Sequence, residues 1–192
     1  MTIFKSLNLF ILWQNRLQRS IGRGVAWLAL LLVLATSAAV LLRYGFDFSS
    51  SKLDETLVYI HASLFMLGIA YTYQQNQHVR VDVFYQRLSP RHQAWVNLLG
   101  ALLFVLPVMG FIIWSGLSYV GASWAIQEKS IDASGLAYVY LLKTLILIMP
   151  GLVLLQTLSF IAQYLLELFA PAQLSTRAQD FSDAHHTLAE GV

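Results

Sequence analysis

Four long apolar stretches, at about residues 21–42, 57–73, 94–124 and 138–169, govern what this 192-residue chain can become. Each has the length that an α-helix needs to cross about 30 Å of hydrocarbon at about 1.5 Å per residue. The chain is 57% hydrophobic and 11% charged, whereas soluble domains carry roughly a quarter charged residues. A mean hydropathy of +0.62 is hard to reconcile with a small soluble domain, which must show much polar surface to water. The sequence therefore predicts an all-α integral membrane protein with four transmembrane helices.

The chain divides into residues 1–20, a membrane domain over 21–171, and a polar tail over 172–192. In the first segment Ile3, Phe4, Leu7, Ile11 and Leu17 approximate one helical face, with Lys5, Asn8, Gln14 and Arg16 elsewhere. That pattern predicts an amphipathic interfacial helix lying along the inner leaflet. The first span reads as retained, because its apolar run exceeds the roughly 7–15 residues of a signal peptide. The third and fourth spans are long enough to tilt or protrude. Pro107 and Pro150-Gly151 predict kinks, which a bundle tolerates when neighbours re-satisfy the freed backbone groups. Ser89-Pro90 suits an N-cap followed by a first helical position. The loop His78-Val79-Arg80-Val81-Asp82-Val83 alternates with period two. Without a partner strand, it is expected to be extended and to lead into a short interfacial helix at about 83–88.

Cationic residues set the orientation. Lys5, Arg16, Arg19 and Arg23 precede or open the first span, and Arg80, Arg87 and Arg91 lie in the second loop. The other two loops hold Arg43, Lys52 and Lys129, and the tail holds Arg177. Both termini are thus expected in the cytoplasm. Aromatic residues cluster toward both ends of the spans, Trp27, Tyr73 and Trp95 toward one and Tyr44, Trp124 and Tyr138 toward the other.

Helices in lipid associate through small and polar residues. Such residues recur at helical spacing as Gly22, Ala26, Ala29, Thr36 and Arg43; as Asp54, His61, Gly68 and Thr72; and as Gly100, Pro107, Gly110, Trp114 and Gly121. They serve internal packing of the bundle, docking onto a larger membrane protein, or both. A bundle of four helices needs only its inner faces, so the surplus favours some docking.

Little here suggests chemistry. The chain has no cysteine and a net charge of +2 without a basic block, which removes thiolate sites and gives nucleic-acid binding no electrostatic support. Asp54 and Glu55 sit at the mouth of the second span near Arg43 and Lys52, as an interfacial ion-pair cluster would. Lys143, about a turn into the fourth span, can snorkel outward, and Glu167 stands at that span's opposite end. His61 is the only intramembrane histidine, whereas a haem in a bundle usually takes axial ligands from two facing helices. His78 with Asp82, or His185 with His186, falls short of a metal's three or four convergent ligands. No nucleotide, serine-hydrolase or zinc-protease motif occurs, so neither cofactor, metal nor enzyme is expected. The midplane segments are too apolar for a stand-alone transporter, which builds its site from broken, polar helices.

Arg43-Tyr44-Gly45-Phe46, then Leu53-Asp54-Glu55-Thr56-Leu57-Val58-Tyr59, Leu67-Gly68-Ile69-Ala70 and His78-Val79-Arg80-Val81-Asp82 together resemble the small permease (DctQ-like) subunits of tripartite ATP-independent periplasmic (TRAP) transporters. Those subunits have an arginine ending the first span, a carboxylate opening the second and an H-[VI]-x-[VI]-D signature in the cytoplasmic loop. The resemblance implies a large multi-span permease subunit and a periplasmic solute-binding protein as partners, in the inner membrane, with membrane lipids around the spans. It also implies sodium-driven import of organic acids, with the small subunit bracing the large one. Arg43, Glu55, His78 and Asp82 would then be architectural, pairing helix ends and fixing the loop. Competing readings are a four-helix anchor of a redox enzyme, resting on His61, and an autonomous small channel or scaffold.

Overall fold

The computed structural model describes residues 2–75 and 85–169, the first few of them as backbone only. His78, Arg80 and Asp82, the period-two stretch and the polar tail lie outside the described residues. The described part is helical, without a strand, and contains four helices long and apolar enough to cross a membrane.

Helix α1 runs from Thr2 to Gly45 without a break. The boundary expected near residue 20 is absent from the backbone. It marks a change of solvent from polar to apolar, and no proline interrupts residues 2–45 to turn that change into a helix end. The 44 residues extend about 66 Å, more than twice the hydrocarbon thickness. The buried face of the N-terminal part also differs from the expected one. Ile11, Gln14 and Gln18 are fully buried, and Ile11 packs with Leu7 against Ala162 and Leu166 of the last helix. Gln14, expected off the apolar face, thus belongs to the packed one.

Helix α2 spans Ser51–Gln74 with Asp54 in its first turn, where a carboxylate complements the helix dipole. The third span comprises α3 (Pro90–Gly100), a π-helical turn (Ala101–Val105) and α4 (Leu106–Ala125). Ser89 occupies the N-cap, but its hydroxyl pairs with the His92 ring at 2.7 Å instead of capping a backbone amide. The π-turn has a cause two residues downstream. A proline ring clashes with the carbonyl four residues back, and widening the turn before Pro107 moves that carbonyl aside. The Leu106 N–H bonds to the Ala101 oxygen, five residues back. The extra residue advances everything after it by roughly 100°, so Gly100 leaves the stripe that Pro107, Gly110, Trp114 and Gly121 continue.

α4 closes in a Schellman motif. The Glu128 N–H reaches the Ser123 oxygen at 3.0 Å and the Gln127 N–H the Trp124 oxygen at 3.2 Å. Gln127 supplies the left-handed residue (φ 46°) that glycine usually provides.

Helix α5, Val139–Phe169, is the hub. It packs against α1, α2, α3 and α4, and 33% of its most apolar stretch is buried, against 11% or less in the other spans. Pro150 is fully buried within it and does not end it. α1 packs on α2, and α2 on α5, while the third span lies against α5. Its inward residues are Gly116, Val120 and Ser123 on α4 and Ala94 and Leu98 on α3.

Two glycines in α1 separate packing from propensity. A methyl group on Gly22 would overlap the Tyr71 ring, whereas one on Gly24 meets nothing within 4 Å. In thermal unfolding of the detergent-solubilised chain, Gly22→Ala should destabilise by about 1–3 kcal/mol through overpacking. Gly24→Ala should stabilise by roughly 0.5–1 kcal/mol.

Candidate functional site

Two polar clusters tie the helices together, one at each end of the bundle. At the end carrying the α1–α2 and α4–α5 connections, Arg43 from the last turn of α1 meets Asp54 from the first turn of α2 at 2.7 Å. Both side chains are about half exposed. The adjacent Glu55 serves a different purpose. Its carboxylate accepts the Ser130 hydroxyl and, at 2.6 Å, the Leu136 N–H. The Ser130 N–H bonds to the Leu136 oxygen at 2.9 Å and the Gly135 N–H to the Asp132 oxygen at 2.9 Å, so Glu55 sits in the jaws of the α4–α5 loop. A side chain at Gly135 would overlap both Ser130 and Glu55, so only glycine permits this approach.

The same loop is fastened a second time. Glu128, delivered by the Schellman turn, accepts from Lys143 Nζ at 2.5 Å, and that ammonium lies 4.2 Å from the centre of the Tyr119 ring. The hydrogen bond from Lys143 holds the Glu128 carboxyl below its ordinary value of 4.5. Trp124 Nε1 donates to Thr144 Oγ1 at 2.9 Å, joining α4 to α5 beside this pair.

At the opposite end the links are amides. Asn15 of α1 is the junction: Gln74 Nε2 donates to its backbone oxygen at 2.8 Å and to its Oδ1 at 3.0 Å, and Gln156 Nε2 to the same Oδ1 at 3.4 Å. Gln18 Nε2 donates to the Leu152 oxygen at 3.1 Å. Three helices, α1, α2 and α5, are thereby joined through uncharged groups. Gln14, Gln156, Thr157 and Ser159 are fully buried around the junction.

The residues singled out in the sequence distribute as follows. Arg43, Asp54 and Glu55 cluster at the first end, although Arg43 pairs with Asp54 and not with Glu55. Lys143 is engaged by Glu128 and lies below one-fifth exposure instead of reaching freely toward headgroups. Gly68 faces Val25 across the α1–α2 groove. His61 is exposed on the outer face of α2, its ring 4.7 Å from that of Phe65. Among the described residues no three His, Cys, Asp or Glu side chains come together as a metal site. Sequence reasoning missed the amide junction. Its signal was Gln156 near the middle of the fourth span, followed directly by Thr157, and the Gln14–Gln18 spacing of one helical turn.

The third span turns two of its glycines outward. A methyl group at Gly110 or Gly121 meets nothing within 4 Å, and Phe111 and Trp114 are 62% and 73% exposed. The glycine that packs inward is Gly116, against Leu147 and Ile146.

Compared with known families, residues 32–167 match the family described as tripartite ATP-independent periplasmic transporters, DctQ component. No match was found among curated proteins or solved structures.

Replacing Glu55 by Ala should free the α4–α5 loop, read as several-fold faster hydrogen exchange at the Leu136 amide. Arg43→Ala, which breaks a half-exposed pair, should cost under about 1 kcal/mol in thermal unfolding. The Glu128–Lys143 pair contributes fully above the ordinary carboxylate range, and its contribution is lost as pH falls through the lowered Glu128 value. Proteolysis of the loop should therefore accelerate on acidification in the wild type and show no such step in Lys143→Met.

Proposed function

Because the chain belongs to the DctQ component family of tripartite ATP-independent periplasmic transporters, we propose that it braces the large permease subunit and carries no substrate chemistry itself. In this reading the large multi-span subunit holds the solute and sodium sites, and a periplasmic binding protein delivers an organic acid to it. The complex resides in the inner membrane, with both ends of this chain in the cytoplasm, in keeping with the cationic residues that flank the first span and fill the second loop.

The observation that carries the scaffold role is the outward face of α4. Gly110 and Gly121 offer backbone-close contact, and Trp114 and Phe111 offer broad apolar surface, yet none of this is used inside the chain. Small residues on an unoccupied helix face let another helix approach closely in lipid, where van der Waals packing replaces the hydrophobic drive. The other faces fit the same role. α5 is the span most engaged in internal packing, and both loop fastenings hold α4 in a fixed pose against it. A brace needs that rigidity; a moving transport element does not.

The tagged full chain, drawn from mildly solubilised native membranes, should co-elute with a large permease in near-equal amount. Gly110→Leu should reduce that recovery by roughly tenfold, as expected if a close helix contact loses about 1.4 kcal/mol, while leaving the melting of the isolated chain unchanged. Elution of the wild type alone refutes the assembly. Co-elution unaffected by Gly110→Leu moves the contact to another face. Solute uptake by the reconstituted complex should require an inward sodium gradient.

A further inference from the structure

A groove of about 460 Å3 opens between α1 and α2. Its walls include Gly22, Val25 and Ala26 on the first helix and Phe65, Gly68 and Thr72 on the second. Gly22 lies against the Tyr71 ring, and Gly68 faces Val25 across the groove. No lining residue is charged, and the Thr72 hydroxyl is spent on the Gly68 carbonyl at 3.1 Å. From Leu64 to Thr72 the groove follows α2 for about 12 Å. It opens away from the bundle, because Ala70, the buried residue of α2, points about 200° from both Gly68 and Thr72.

Two arginines border the groove where α2 ends. Arg19 and Arg23 lie one turn apart, and Gly22 and Ala26 follow Arg19 at i+3 and i+7, so all four share one side of α1. Both arginines are exposed, and neither forms an ion pair among the described residues. α1 has no acidic residue, and those of α2, Asp54 and Glu55, stand at its opposite end. Depth follows from the amide junction. The hydrogen bonds from Gln74 hold Asn15 level with the last residue of α2, so Arg19 and Arg23 begin about 6 and 12 Å further along α1. The 24 residues of α2 cover about 36 Å, only slightly more than the hydrocarbon core. Arg23 is therefore rooted inside the apolar layer, where an unpaired guanidinium is costly. Its stem leads back toward the helix N-terminus and the headgroups.

An apolar slot with guanidinium groups at its headgroup end is complementary to a phospholipid, whose chain suits the slot and whose phosphate suits the arginines. Guanidinium presents a planar fork of N–H donors that matches phosphate oxygens. Net charge narrows the class. In phosphatidylethanolamine and phosphatidylcholine the phosphate already has a cation within its own headgroup, whereas in phosphatidylglycerol it is the only charge. We propose that the α1–α2 groove seats an acyl chain of an anionic phospholipid, of which phosphatidylglycerol is the simplest, with the phosphate held by Arg19 and Arg23. α4, whose outward face is offered to the permease, packs on α5 and does not line this groove, so the two surfaces do not compete.

The full chain in mild detergent tests this by competition between phosphatidylglycerol, phosphatidylethanolamine and phosphatidylcholine of identical acyl chains, read as retained lipid by native mass spectrometry. Phosphatidylglycerol should be retained about tenfold over either competitor, the order that two arginines beside an anionic headgroup supply. Arg19→Gln combined with Arg23→Gln, both at exposed and unpaired positions, should bring the ratio close to one and leave the melting of the chain unchanged. Ala26→Trp, also at an exposed position, should fill the groove and lower phosphatidylglycerol retention by a similar factor. Equal retention of the three lipids, as would follow if an acidic residue elsewhere in the chain neutralised the arginines, overturns the proposal. So does a preference that survives either variant. Displacement of the lipid by an equal concentration of glycerol phosphate would overturn the role of the groove and leave a free-phosphate site. In native membranes, a crosslink from Ala26→Cys, in a chain otherwise free of cysteine, to the permease would give the groove to a partner helix and overturn the lipid assignment.

Discussion

Apolar contact between helices gains little in lipid, because an acyl chain solvates leucine as well as another leucine does. Everything that holds this bundle together must therefore come from close fit or from polar groups that lipid cannot satisfy. Helix α5 meets that constraint for the whole molecule. It buries Gln156, Thr157 and Ser159 in its C-terminal half and presents Thr144 and Lys143 near its start. Every other span has a place because it answers one of those groups or fits beside them. α1 does so through Asn15, with Gln18 adding a bond to the Leu152 carbonyl, and α4 through Trp124 and the Glu128 that follows it.

The two ends of the bundle solve the same problem with different chemistry. At one end the fastenings are charged and sit at a loop where water is near, so Arg43 and Asp54 can remain half exposed. At the other, amides do the joining, Gln18 and Gln156 of them fully buried, and no desolvated charge has to be compensated. Gln74, the last residue of α2, ties that helix into the amide end through its nitrogen, which holds Asn15.

How much of this was legible in the sequence follows from what each feature depends on. The spans are a property of local composition, so hydropathy found all four long apolar helices, although α2 starts six residues before the expected stretch and α1 extends far toward the N-terminus. The continuity of α1 escaped because a change of solvent was taken for a change of backbone. Gln14 was read as lying off the apolar face because five apolar residues defined that face, although in lipid a glutamine has the greater reason to face protein. Arg43, Asp54 and Glu55 were legible as a cluster, since all three lie within a dozen or so residues. The partners of Glu55 are some 75–81 residues away in the chain, and no local pattern reveals them. The stripe through the third span failed at Gly100, where the π-turn alters the count.

That π-turn makes residues 101–105 a phase element as well as a stretch of helix. In a transmembrane helix, length and facing are normally coupled, since losing one residue both shortens the rod and swings its remainder by a quarter-turn or more. Here the surplus residue is already absorbed in a single wide turn. Over evolutionary time, an insertion or deletion at this point would act as a rotary selector, changing which side of α4 looks away from α5 while leaving α3 where it stands, and the Trp124–Thr144 and Glu128–Lys143 fastenings would have to be rebuilt for the new facing.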